Sequence, residues 1–79
     1  MGVRLFLSST LRRYVGGYDP SRGMELGQVQ GKSLREVLMD LGIPLEGVKI
    51  VMVDGVHSDL NYTLSGEERV AIFPPVGGG

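Results

Sequence analysis

Apolar positions Val3, Leu5 and Leu7 alternate with Arg4 and Phe6, the period of a strand with one buried face. Thr10 to Val15 predicts a helical turn, and Gly16-Gly17-Tyr18-Asp19-Pro20 has loop chemistry. Met24 to Gln30 predicts a second strand, weakened by Gly27 in its middle. The helix signal is the clearest. Ser33-Leu34-Arg35-Glu36 has the form of a capping box, with Ser33 as N-cap and Glu36 three residues on. Leu34, Val37, Leu38 and Leu41 then fall at i, i+3, i+4 and i+7 and make one apolar stripe. Gly42 suits the left-handed position after the helix, and Pro44 prevents its continuation.

Val48 to Val53 is a β-branched run that predicts a buried central strand. Asp54-Gly55 is a hairpin signal leading to a short strand near Val56 to Ser58. Asp59 to Leu64 reads as irregular, and Ser65-Gly66 marks a turn. Glu68 to Phe73 is the last strand, stopped by Pro74-Pro75, which cannot donate to a sheet ladder. One helix covers only one face of a sheet. The economical arrangement is an α+β layer pair with the first and last strands adjacent and parallel, since the chain between them is ample for a crossover.

Composition narrows the function classes. The chain has no cysteine, which excludes disulfides, a thiolate nucleophile, Fe–S clusters and Cys-based zinc sites. A net charge of -1 with no basic stripe gives no reason to expect nucleic acid as a partner. No apolar run is long enough to span a membrane, and no signal-peptide pattern opens the sequence. The expectation is a cytoplasmic protein with no membrane partner.

The residues Phe73-Pro74-Pro75-Val76-Gly77-Gly78-Gly79 resemble the ending of the MoaD/ThiS sulfur carriers, and of MoaD in particular. That family typically ends Phe/Ile-Pro-Pro-Val-x-Gly-Gly, with Gly77 on the variable position. Leu64-Ser65-Gly66-Glu67-Glu68-Arg69-Val70-Ala71-Ile72 is similar to the family's turn and final strand, and Val51-Met52-Val53-Asp54-Gly55 to its central strand and hairpin. The resemblance implies the β-grasp, or ubiquitin-like, fold: a mixed sheet of four to five strands with one main helix on one face. It implies a domain over residues 1–73 and a flexible tail over 74–79. The long connection from Tyr14 to Gly23 departs from a minimal carrier.

The resemblance also implies a mechanism. An E1-like enzyme uses ATP to adenylate Gly79, and sulfur replaces the adenylate to give a thiocarboxylate. A synthase large subunit then passes that sulfur to a pterin precursor in the MoaD branch, or into a thiazole in the ThiS branch. The Pro-Pro step favours the MoaD branch. No cofactor is expected on the chain itself, no metal site is expected, and the chain is a substrate and subunit rather than an enzyme.

The residue types suit that chemistry. A carboxylate is a poor acyl donor until activation supplies a good leaving group. Gly77, Gly78 and Gly79 lack a Cβ and can enter a narrow channel. Pro74 and Pro75 hold the base of the tail extended, so less freedom is lost on insertion. Strand alternation adds a reading independent of the family: if Val3, Leu5, Leu7, Val70 and Ile72 face the helix, Phe6 and Phe73 face away. The result is an apolar docking patch at Phe6 and Phe73 beside the tail; the resemblance implies that Pro74, Pro75, Val76, Gly77 and Gly78 also bind the partner.

Other features are bland. His57 follows a hairpin turn and reads as solvated, and so do Arg4, Arg12 and Arg13. Gly16-Gly17 is no phosphate loop, since no Lys-Ser/Thr follows. Two alternatives remain: a ubiquitin-like modifier whose activated glycine attacks lysines, and a β-grasp binding module with no terminal chemistry.

Overall fold

The computed structural model describes residues 2–75. Five strands form one sheet: β1 (Val3–Leu7), β2 (Met24–Leu26), β3 (Ile50–Val53), β4 (Val56–Ser58) and β5 (Arg69–Phe73). Their order across the sheet is β2-β1-β5-β3-β4. β1 and β5 are parallel and central, while the other pairs are antiparallel. One α-helix, α1 (Leu34–Asp40), packs on one face, and two 3-10 turns cover Ser9–Tyr14 and Leu45–Gly47. This is the β-grasp arrangement the sequence predicts.

The alternation in β1 and β5 becomes burial. Val3, Leu5, Leu7, Val70 and Ile72 are at most 1% exposed and meet Leu34, Val37 and Leu38 of α1 in one core. Each such side chain contributes about 1.5–3 kcal/mol through lost contact with water. At the start of α1, the Ser33 hydroxyl accepts from the Glu36 N–H while the Glu36 carboxylate accepts from the Ser33 N–H. The helix ends on a Schellman motif: the Ile43 N–H donates to the Leu38 carbonyl and the Gly42 N–H to that of Met39. Gly42 takes φ 79°, a left-handed value that glycine adopts without a Cβ penalty.

Three element boundaries differ from the pattern. The second strand stops at Leu26, because Gln28 takes φ 60° and turns the chain out of the sheet. The third begins at Ile50, since the 3-10 turn at Leu45–Gly47 consumes the approach and Val48 caps it. β3 is interior to the sheet yet buried on one face only, with Ile50 and Met52 half-buried on the other. Glu68 precedes β5 and has a different task, described below.

The stretch from Asp59 to Leu64 has no regular structure but a definite role. The carbonyls of Tyr62 and Leu60 accept from the N–H groups of Leu34 and Arg35, two donors that a helix N-terminus leaves without intrahelical partners. Leu64 exchanges hydrogen bonds with Gly31 and Lys32. The segment thus straps the start of α1.

Candidate functional site

Pairing register places the side chains of the uncovered face. Phe6 on β1 lies opposite Ala71 on β5, Ala71 opposite Met52 on β3, and Phe73 opposite Ile50. Phe6, Ala71, Met52 and Ile50 are half-buried, and Phe73 is 36% exposed. The two phenylalanines therefore lie on the face away from the helix, on adjacent strands. They bound an apolar patch at the end of the sheet where β5 leaves for the tail.

Phe6 is approached closely by Arg69 and by Gly23. The Arg69 guanidinium carbon sits 4.3 Å from its ring centroid. A Cβ built on Gly23 would lie 2.9 Å from the ring, and Gly23 takes φ 75°. The long loop thus approaches Phe6 with glycine backbone. Its tyrosines do not cover the ring: Tyr14 is exposed, and the Tyr18 hydroxyl accepts from the Leu7 N–H.

The tail begins from a fixed base. The Lys49 N–H donates to the Phe73 carbonyl at 2.8 Å, so the last strand residue is still tied to the neighbouring chain. Pro74 is half-buried and Pro75 exposed. Val76, Gly77, Gly78 and Gly79, which the sequence reading makes the rest of the tail and its reactive end, lie outside the described residues.

The turn before β5 is organised by a residue that strand periodicity does not single out. Glu68 is 4% exposed. Its carboxylate accepts from the backbone N–H groups of Ser65, Gly66 and Glu67 and from the Tyr62 hydroxyl. Burial alone pushes this carboxyl up; the backbone donors and the tyrosine outweigh it and hold it down at about 2. The same bond raises Tyr62. A glutamate three residues after a Ser-Gly turn was the available signal, but its burial depends on contacts distant in sequence.

Among the described residues no His, Cys, Asp and Glu cluster could hold a metal. His57 is exposed on β4, opposite Met52. No helix among the described residues is long and apolar enough to cross a membrane. Among the described residues the geometry offers a small folded body and an apolar face beside the end of the central strand β5, which runs into Pro74 and Pro75.

A β-grasp body of this kind defines the class of ubiquitin-like proteins. The chain matches the ThiS family over residues 11–79 and belongs to that family. It is a ubiquitin-like carrier of the sulfur-carrier or modifier type, a group whose members are generally not enzymes themselves and generally work with E1-like enzymes. The fold is similar to the crystal structure of SAMP1 from Haloferax volcanii, with a TM-score of 0.68, 20% sequence identity and 100% of both chains covered. No curated protein gives a significant match.

Proposed function

We propose that this chain is a sulfur carrier whose Gly79 carboxylate is adenylated by an E1-like enzyme, converted to a thiocarboxylate, and used as the sulfur donor in molybdopterin assembly. The observation that carries this reading is the continuity of β5 with the tail. A central strand ends at Phe73 on the uncovered face, and Pro74-Pro75 follow at once. A partner that grips the face beside Phe6 and Phe73 thereby fixes the origin of the six residues from Pro74 to Gly79.

The chemistry follows from that placement. One carboxylate oxygen of Gly79 attacks the α-phosphate of ATP held by the enzyme, and pyrophosphate leaves. A sulfur nucleophile then attacks the acyl carbon and AMP leaves, so a C–S bond replaces a C–O bond. The chain itself holds no cofactor; ATP belongs to the activating enzyme. Positioning is its contribution, because the folded body restricts where the acyl carbon can go. A synthase large subunit then takes the sulfur. The Pro74-Pro75 step supports the pterin branch over the thiazole branch.

The test presents thiocarboxylated chain, in parallel, to a molybdopterin synthase large subunit with its pterin precursor, to a thiazole synthase with its substrate, and to lysine-bearing proteins. Sulfur transfer to the pterin alone is expected. Transfer into thiazole, or an isopeptide bond to lysine, would assign the carrier to the other branch or to protein modification.

A further inference from the structure

We infer that Arg69 is a specificity residue of the docking face, and that it selects an adenylating partner presenting a carboxylate against it. The inference rests on the carrier reading above. Arg4 on β1 and Arg69 on β5 are direct neighbours in the parallel register. Like charges side by side on adjacent strands repel. Arg4 is balanced: it lies 3.7 Å from the Glu25 carboxylate and donates to the Arg22 carbonyl at 2.7 Å. Arg69 is not balanced in that way. Its guanidinium makes no ion pair and donates no hydrogen bond among the described residues. The nearby Asp54 carboxylate is engaged by the Arg69 backbone N–H at 2.9 Å.

The Phe6 ring supplies what an anion does not. A cation over an aromatic face is attracted by the ring quadrupole, and the contact leaves the guanidinium N–H donors available. Arg69 is thus an exposed cation held in one place, with unused donors in a fork that matches a carboxylate. Holding it beforehand lowers the freedom lost on binding.

Its position defines the partner. Arg69 and Phe73 both point to the uncovered face of β5, four residues apart, a span of about 13 Å at the rise of a strand. The complementary surface carries an apolar area against Phe6, Met52 and Phe73. It also carries an Asp or Glu side chain about 13 Å behind the mouth that admits the tail. An enzyme with the same apolar area but a basic residue at that point is rejected by repulsion.

The test measures affinity of the full chain for its adenylating enzyme, and ATP-dependent adenylation of Gly79, for wild type, Arg69→Lys, Arg69→Gln and Arg69→Glu, with thermal unfolding alongside. Unfolding is expected to change little, because Arg69 is exposed. Affinity is expected to fall about fivefold for Arg69→Gln and by more than about tenfold for Arg69→Glu, with Arg69→Lys also weakened because a point charge loses the fork. Added salt is expected to weaken wild type more than Arg69→Gln, and reversing one acidic residue on the enzyme to Arg is expected to restore Arg69→Glu. If wild type is adenylated and all three variants bind within twofold of it, the Arg69 inference falls and the carrier reading stands. If wild type is neither bound nor adenylated, the carrier reading fails and takes the inference with it.

Discussion

The Tyr18 hydroxyl lies 2.7 Å from the Leu7 backbone nitrogen and accepts its hydrogen bond. On the same residue, the Leu7 carbonyl accepts from Arg12 Nε at 2.9 Å. β2 pairs with β1 only as far as Leu5, so the end of β1 would otherwise expose an unpaired edge. Two side chains complete the ladder there, Arg12 from the 3-10 turn Ser9–Tyr14 and Tyr18 from the long Tyr14–Gly23 connection. The connection that departs from a minimal carrier thus protects the strand next to β5, and an exposed edge is a template for unwanted strand pairing.

Removing that hydroxyl isolates the effect. Tyr18→Phe keeps the ring and leaves a part-buried N–H without a partner, which costs about 1–3 kcal/mol. Denaturant unfolding should show a lower midpoint with an unchanged slope, and hydrogen exchange should accelerate at Leu7 more than at Leu5. Equal protection at Leu7 in both proteins would show that the bond contributes nothing.

Loss of the Glu68 charge is expected to contribute to acid unfolding. Its folded-state value of about 2 lies below the 4.5 of an unperturbed carboxyl. The unfolded state therefore binds the proton more readily, and stability falls as pH falls. The contribution is present above about pH 4.5 and is lost between there and about pH 2. Glu68→Gln keeps the shape, removes the charge, and turns one acceptor into an amide donor facing backbone N–H groups. It should destabilise at pH 7 by about 2 kcal/mol or more and flatten the acid limb of the stability curve. An acid limb as steep as that of wild type would mean that another carboxylate controls it.

Phe73 separates binding from folding. A charge placed at this exposed position costs little in the free protein but opposes burial against a partner. Phe73→Asp should lower affinity for the E1-like enzyme by more than about tenfold while shifting the unfolding temperature by only a few degrees. A mutant that unfolds at the temperature where wild type is stable would place Phe73 in the core.

Much of this architecture was legible locally. The capping box at Ser33 and Glu36, the stripe through Leu38 and the glycine at Gly42 each specify helix geometry within a few residues. The alternation in Val3–Leu7 and Arg69–Phe73 specified faces, and with them the outward position of Phe6 and Phe73. What the sequence hid depends on partners far apart in the chain. Asp59 to Leu64 has no periodicity because its main-chain groups serve the helix N-terminus rather than a ladder. Glu68 reads as a polar strand residue until the Ser65–Glu67 backbone folds around it. The contact of Arg69 with Phe6 exists only through the β1–β5 register, which joins residues more than sixty positions apart.

The most direct test of the central claim follows Gly79 by intact mass. Wild type, a chain lacking Gly79 and a chain extended by one residue are each incubated with ATP, the E1-like enzyme and a sulfur donor. Deletion draws the acyl carbon back by about 3.3–3.6 Å, enough to lose reacting geometry, and extension carries it past the nucleotide. Neither change alters the folded residues, so both variants should still bind the enzyme. The account predicts that wild type exchanges one carboxylate oxygen for sulfur and that both variants stay unmodified. An extended chain that is demonstrably not trimmed and still gains sulfur would contradict it.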